Sequence, residues 1–127
     1  MAGAAAIAVA VQLYGVYRVS GPPSSPLFPH VDKVAHLVGF GAPLVLVLLA
    51  LLLRQRARGL RITRRPVVAV TAVFLAHAVV SEIIQHVLLP SRSGDPLDVL
   101  ADSVGIGLGL LGYRVLEHLL TRPTGRP

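Results

Sequence analysis

The residues in this chain able to do chemistry are few and crowded together. Between Ser81 and Gly105 lie Glu82, Gln85, Arg92, Asp95, Asp98 and Asp102, and four of the chain's six acidic residues fall in that window. Asp32, Lys33 and His36 form a second group, with Asp32 and His36 four apart and so on one helical face. Glu82 and Gln85 are one turn apart, and His86 is four residues from Glu82. A carboxylate flanked by an imidazole and a cation suits three tasks. It can exchange a proton, with Glu82 as general base and His36 as acid or orienting group. It can hydrogen-bond sugar or peptide groups of a ligand, with Asp32, Gln85, Asp98 and Asp102 supplying further contacts while Lys33 and Arg92 neutralise anionic oxygen. Or it can lock helices together as an ion pair.

The elements that must position these groups are apolar. Of 127 residues, 54% are hydrophobic and 14% charged. A charge in hydrocarbon costs about 2.5–3.5 kcal/mol on insertion scales, so the cluster is not incidental. Four apolar runs predict helices over residues 2–19, 34–53, 67–89 and 97–120. The expected fold is all-α: a polytopic membrane protein, one domain spanning residues 1–127, built as a four-transmembrane-helix bundle. The first run is read as a helix rather than a cleaved leader, because no Lys or Arg precedes it. Pro43 marks an expected kink in the second helix, and Pro66 suits the start of the third.

Residues 54–65, RQRARGLRITRR, hold six arginines in twelve positions. A short arginine-rich loop stays in the cytoplasm, which with four crossings predicts cytoplasmic N- and C-termini. The Asp32, Gln85, Arg92 and Asp98 ends of three helices then meet on the extracytoplasmic side. The net charge of +6 is thus assigned to topology, and no nucleic-acid partner is expected. There is no cysteine, which excludes disulfides and thiolate metal sites. Glu82-x-x-x-His86 and Asp32-x-x-x-His36 have ligand-compatible spacing, but no specific zinc pattern occurs, and no metal or other cofactor is expected. Asp95 reads as a turn residue and Asp98 as the cap of the fourth helix. His77 reads as a hydrogen-bonded packing residue, and His118, beside Glu117, as structural. Gly105 and Gly109 stand four apart and permit close helix approach, either within the bundle or with a membrane-protein partner.

Asp32-Lys33-x-x-His36, Glu82-x-x-Gln85, Arg92, and then Asp98, Asp102 and Gly105 resemble the VanZ-like family, small bacterial membrane proteins named after a teicoplanin-resistance determinant. The resemblance covers roughly Asp32 to Gly112. The family pattern of DKxxH, ExxQ, an arginine-containing loop and DxxxNxxG occurs in order, except that Asp102 stands where the pattern has Asn. The resemblance implies a cell-envelope role in the bacterial cytoplasmic membrane, with a link to glycopeptide resistance, and brings no settled mechanism. Three functions are expected to compete. The first is recognition of an anionic lipid-linked cell-wall intermediate, or a related glycoconjugate or peptide, with membrane lipids as general partners. The second is acid–base catalysis by Glu82 and His36 on such a lipid. The third is a structural or accessory membrane subunit.

Overall fold

The computed structural model describes residues 1–18, 30–89 and 95–122. Among them are four helices and no strand: α1 (Ala2–Tyr17), α2 (Val31–Ala57), α3 (Arg65–Leu88) and α4 (Pro96–Thr121). By length and composition α2, α3 and α4 can each cross a membrane. α1 has 16 residues, a rise of about 24 Å at 1.5 Å per residue, which is short of the roughly 30 Å of a hydrocarbon core. The described part of the chain is therefore three candidate spans plus one shorter apolar helix, where the sequence predicts four spans.

Local signals explain the helix ends. Proline stands in the first turn of both α3 and α4, where its missing N–H leaves no bond unmade. The Asp95 carboxylate accepts the Leu97 N–H at 2.9 Å, so Asp95 and not Asp98 caps α4. α2 continues through Pro43 and runs four residues past its expected end, because Arg54, Gln55 and Arg56 are good helix formers and the arginines suit the negative end of the dipole. It stops at Gly59. This residue takes φ +63°, its N–H bonds the Arg56 carbonyl and the Leu60 N–H bonds the Gln55 carbonyl. That pair of bonds is a Schellman ending, which needs the left-handed backbone that glycine adopts at little cost.

The core is small and centred on α2. Phe40, Leu44, Leu48 and Leu52 recur every fourth residue and are buried, meeting Val16 of α1, Val67, Phe74 and Ala78 of α3, and Ile106 and Tyr113 of α4. Large apolar side chains such as Ile7, Val68, Val73, Ile83, Leu100, Leu108 and Leu111 face outward on every helix. An apolar exterior around helices whose backbone bonds are internally satisfied is what a bilayer solvates.

α2 makes its most extensive pairing with α4, and the two run parallel. A methyl group on Gly109 would lie 2.6 Å from the Gly41 carbonyl oxygen, and one on Gly41 2.7 Å from the Gly105 carbonyl oxygen. Gly105 likewise sits against the Leu37 backbone. These are backbone obstacles, so only glycine fits. Of the two uses read from sequence for the Gly105/Gly109 face, the structure shows the one within the bundle, against α2 of the same chain. At the far end, Arg56 donates to the Leu120 carbonyl. Gly109→Ile should lower stability by about 1–3 kcal/mol or more through overpacking. Gly107→Ala, where nothing lies within 4 Å, should not destabilise; thermal unfolding in detergent with size-exclusion monitoring separates the two.

Candidate functional site

The parallel seam brings the N-terminal turns of α2 and α4 together, and α3 delivers its C-terminal turns to the same end. His36 comes one turn after Lys33 on α2, and Asp102 one turn after Asp98 on α4, so the two pairs face each other in register. Lys33 Nζ lies 2.5 Å from Asp95 Oδ2 and 2.5 Å from Asp98 Oδ1, and 3.2 Å from its neighbour Asp32. One turn deeper, His36 Nδ1 and Asp102 Oδ1 share a hydrogen bond of 3.0 Å, and His36 Nε2 is 3.7 Å from Asp98 Oδ2. Asp102 is fully buried. Glu82 is buried beside them, and its Oε2 accepts the Asp95 backbone N–H at 2.9 Å. One donor atom each from His36, Glu82 and Asp102 lie within 4.8 Å of one another.

Of the residues picked out in the sequence, Asp32, Lys33, His36, Glu82, Asp98 and Asp102 therefore meet. Gln85 belongs to the same end but turns away: its Nε2 donates to the Val16 carbonyl at 3.2 Å, tying α3 to α1. Arg92 lies outside the described residues. Glu82 does not pair with Lys33, whose charge is taken by Asp32, Asp95 and Asp98. His77 does pack as expected, sharing a 3.0 Å hydrogen bond with the Tyr17 hydroxyl and lying against the Phe40 ring. His118 meets Arg122 one turn on.

Among the described residues, four buried side-chain atoms have no hydrogen-bond partner: Glu82 Oε1, Asp102 Oδ2, Gln12 Nε2 and Arg18 Nε. Two are acceptors inside the cluster. The two donors line a cleft of about 580 Å³ between α1 and α2. Its walls are largely apolar, with Ala8, Val11, Val38 and Phe40 among them, and Gln12, Arg18, Asp32 and His36 are its polar members. A mostly apolar cleft with a few convergent polar groups is the usual form of a small-molecule site. Among the described residues Arg18 has no carboxylate partner, unlike Lys33.

Sequence reading missed Gln12 and Arg18 as site residues, and took Asp95 for a turn residue where it also meets Lys33 and Glu82. Gln12 had a signal, as the lone strongly polar residue of an otherwise apolar run. Arg18 belongs to no motif, and only the packing of α1 on α2 shows what it lines.

Outside the spans, the Lys33 ammonium and the Leu97 N–H hold the Asp95 carboxyl below the usual carboxylate range. A depressed folded-state pKa contributes stability that is present above the unfolded value, near 3.9, and lost as pH falls through the folded value. Asp95→Asn should therefore flatten the acid limb of the stability profile while leaving its shape near neutral pH unchanged. Lys33→Met, which strips three carboxylates of their cation, should destabilise at neutral pH by about 1–3 kcal/mol. Thermal unfolding between pH 3 and pH 8 would show both effects.

A family model described as VanZ/LLP1 matches residues 4–117. The chain belongs to the VanZ/LLP1 family. Neither a curated protein nor a solved structure shows a significant match to it.

Proposed function

We propose that this VanZ/LLP1 family member is a cell-envelope protein that recognises an anionic lipid, of the class of lipid-linked cell-wall intermediates. The α1/α2 cleft would receive the chain, and the polar end of the bundle the head group. The observation that carries this reading is the cleft itself. It is a mostly apolar cleft whose polar members include two unpartnered donors, Gln12 Nε2 and Arg18 Nε. Guanidinium matches the geometry of a phosphate oxygen pair, and in a low-dielectric setting an unmet N–H is costly to leave. His36 and Asp32 stand at the same cleft and would contact sugar or peptide groups, while Arg92, which lies between α3 and α4 in the sequence, would be a second cation for the head group.

In this reading the protein sits in the bacterial cytoplasmic membrane with all four helices inserted, the 16-residue α1 crossing by local thinning of the bilayer. The arginine-rich segment after α2 is cytoplasmic, as are both termini, and the Lys33–Asp98 end faces outward. An effect on glycopeptide susceptibility follows where the bound lipid is a cell-wall precursor.

A second reading draws on the His36–Asp102 pair. A carboxylate that holds one imidazole nitrogen fixes the ring and its tautomer, and Glu82 lies alongside. That arrangement supports proton transfer on the same lipid, with Glu82 as base and His36 as acid. Appearance of a new product from purified protein, abolished by Glu82→Gln, would favour it over simple binding.

Native mass spectrometry of the detergent-purified protein, against polyprenyl-phosphate-linked lipids and ordinary phospholipids, tests the recognition itself. The wild type should retain a polyprenyl-linked lipid selectively, and Arg18→Ala should reduce that retention about tenfold or more without loss of helix content. Equal retention of every lipid, or an Arg18→Ala protein indistinguishable from wild type, contradicts the proposal.

A further inference from the structure

We propose that His36, Glu82 and Asp102 bind one divalent metal cation of the manganese or zinc class, at the buried junction of α2, α3 and α4. The proposal does not rest on the lipid reading, and its test reads metal rather than lipid.

Geometry is the first support. Two ligands at right angles about an ion at roughly 2.1 Å lie about 3 Å apart, and two opposite ligands about 4.2 Å apart. The three side chains each offer a donor atom within 4.8 Å of the others, and loss of the proton shared by His36 Nδ1 and Asp102 Oδ1, 3.0 Å apart, frees both atoms for an ion. Sub-ångström shifts close this set around an ion. All three residues lie on helices, so the backbone holds the donors in place.

The second support is independent of spacing. Glu82 Oε1 and Asp102 Oδ2 are buried carboxylate oxygens with no hydrogen-bond donor. Asp102 is wholly buried and Glu82 is 7% exposed. An unmatched acceptor in such a place carries a desolvation cost, and a cation satisfies both oxygens at once. Charge points the same way. Among the described residues this end holds five carboxylates (Asp32, Glu82, Asp95, Asp98 and Asp102) against the Lys33 and Arg18 cations, and Lys33 is occupied by Asp32, Asp95 and Asp98.

The donor set defines the metal class. One imidazole with two carboxylates, and Asp98 nearby at 3.7 Å from His36 Nε2, suits Mn²⁺ or Zn²⁺. The sequence did not suggest this site because its ligands do not occur in one motif. His36 and Asp102 are 66 residues apart, and the near-motif His86 is not part of the group.

Purified protein would be stripped with a chelator and titrated separately with Mn²⁺ and Zn²⁺, with bound metal counted by elemental analysis. The wild type should bind one equivalent of at least one ion. Asp102→Asn and Glu82→Gln should each weaken that binding tenfold or more, while Glu117→Gln, near the opposite end of α4, should leave it unchanged. Pulsed electron paramagnetic resonance of the Mn²⁺-loaded wild type adds a readout that needs no variant and should show coupling to an imidazole nitrogen. Absence of a stoichiometric site, binding unaltered in Asp102→Asn and Glu82→Gln, or bound Mn²⁺ without nitrogen coupling would overturn the assignment.

Discussion

Everything at the polar end of this protein depends on the backbone contact between α2 and α4. Gly41, Gly105 and Gly109 remove the side chains that would hold the two helices apart, and the carbonyls of Leu37, Gly41 and Gly105 fill the space where methyl groups would stand. Without a hydrophobic driving force between helices in lipid, close van der Waals approach of this kind is a main source of association. Because the helices run parallel, their N-terminal turns coincide. Lys33 then reaches Asp95 and Asp98, and His36 reaches Asp102. The seam therefore acts on two levels, holding the bundle together and setting the register of the site.

That register has an electrostatic consequence. Carboxylates gathered at one end of an apolar bundle raise the cost of each other's charge, and the described part of the chain answers with a single well-engaged lysine. Lys33 is shared by the outer layer of Asp32, Asp95 and Asp98. The inner layer of Glu82 and Asp102 meets one imidazole and keeps two unmatched oxygens. A structural lock is normally closed, with every buried polar group matched. Matched outer pairs above unmatched inner acceptors, next to a cleft carrying unmatched donors, are better suited to a site that takes something in.

Much of this was legible in the sequence. Apolar runs and prolines marked the helices, and the paired DKxxH and ExxQ elements with Asp98, Asp102 and Gly105 marked both the family and the residues that converge. What escaped has physical reasons. Arginine and glutamine propagate a helix well, so α2 runs on to the first glycine able to take a left-handed conformation, past the point where hydrophobicity stops. Asp95 and Asp98 both precede or open a helix, and which one caps depends on the backbone before Pro96. Gly105 and Gly109 announce close packing without naming the partner, which is α2. Gln85 looked like a ligand contact because it shares a face with Glu82, yet the carbonyl of Val16 takes its amide. Arg18 has no motif, and its place at the cleft follows only from how α1 leans on α2.

Whether a lipid binds in the α1/α2 cleft or only around the general apolar exterior can be read by photo-crosslinking with a polyprenyl phosphate carrying a photoreactive group, in bilayers and with peptide mapping of the adducts. Binding in the cleft should concentrate adducts on its two walls, around residues 11–18 at the end of α1 and 35–43 of α2, and unlabelled polyprenyl phosphate should compete them away. Adducts spread instead over the outward faces of α3 and α4, at positions such as Val73, Ile83 and Leu108, and insensitive to competitor, would contradict it.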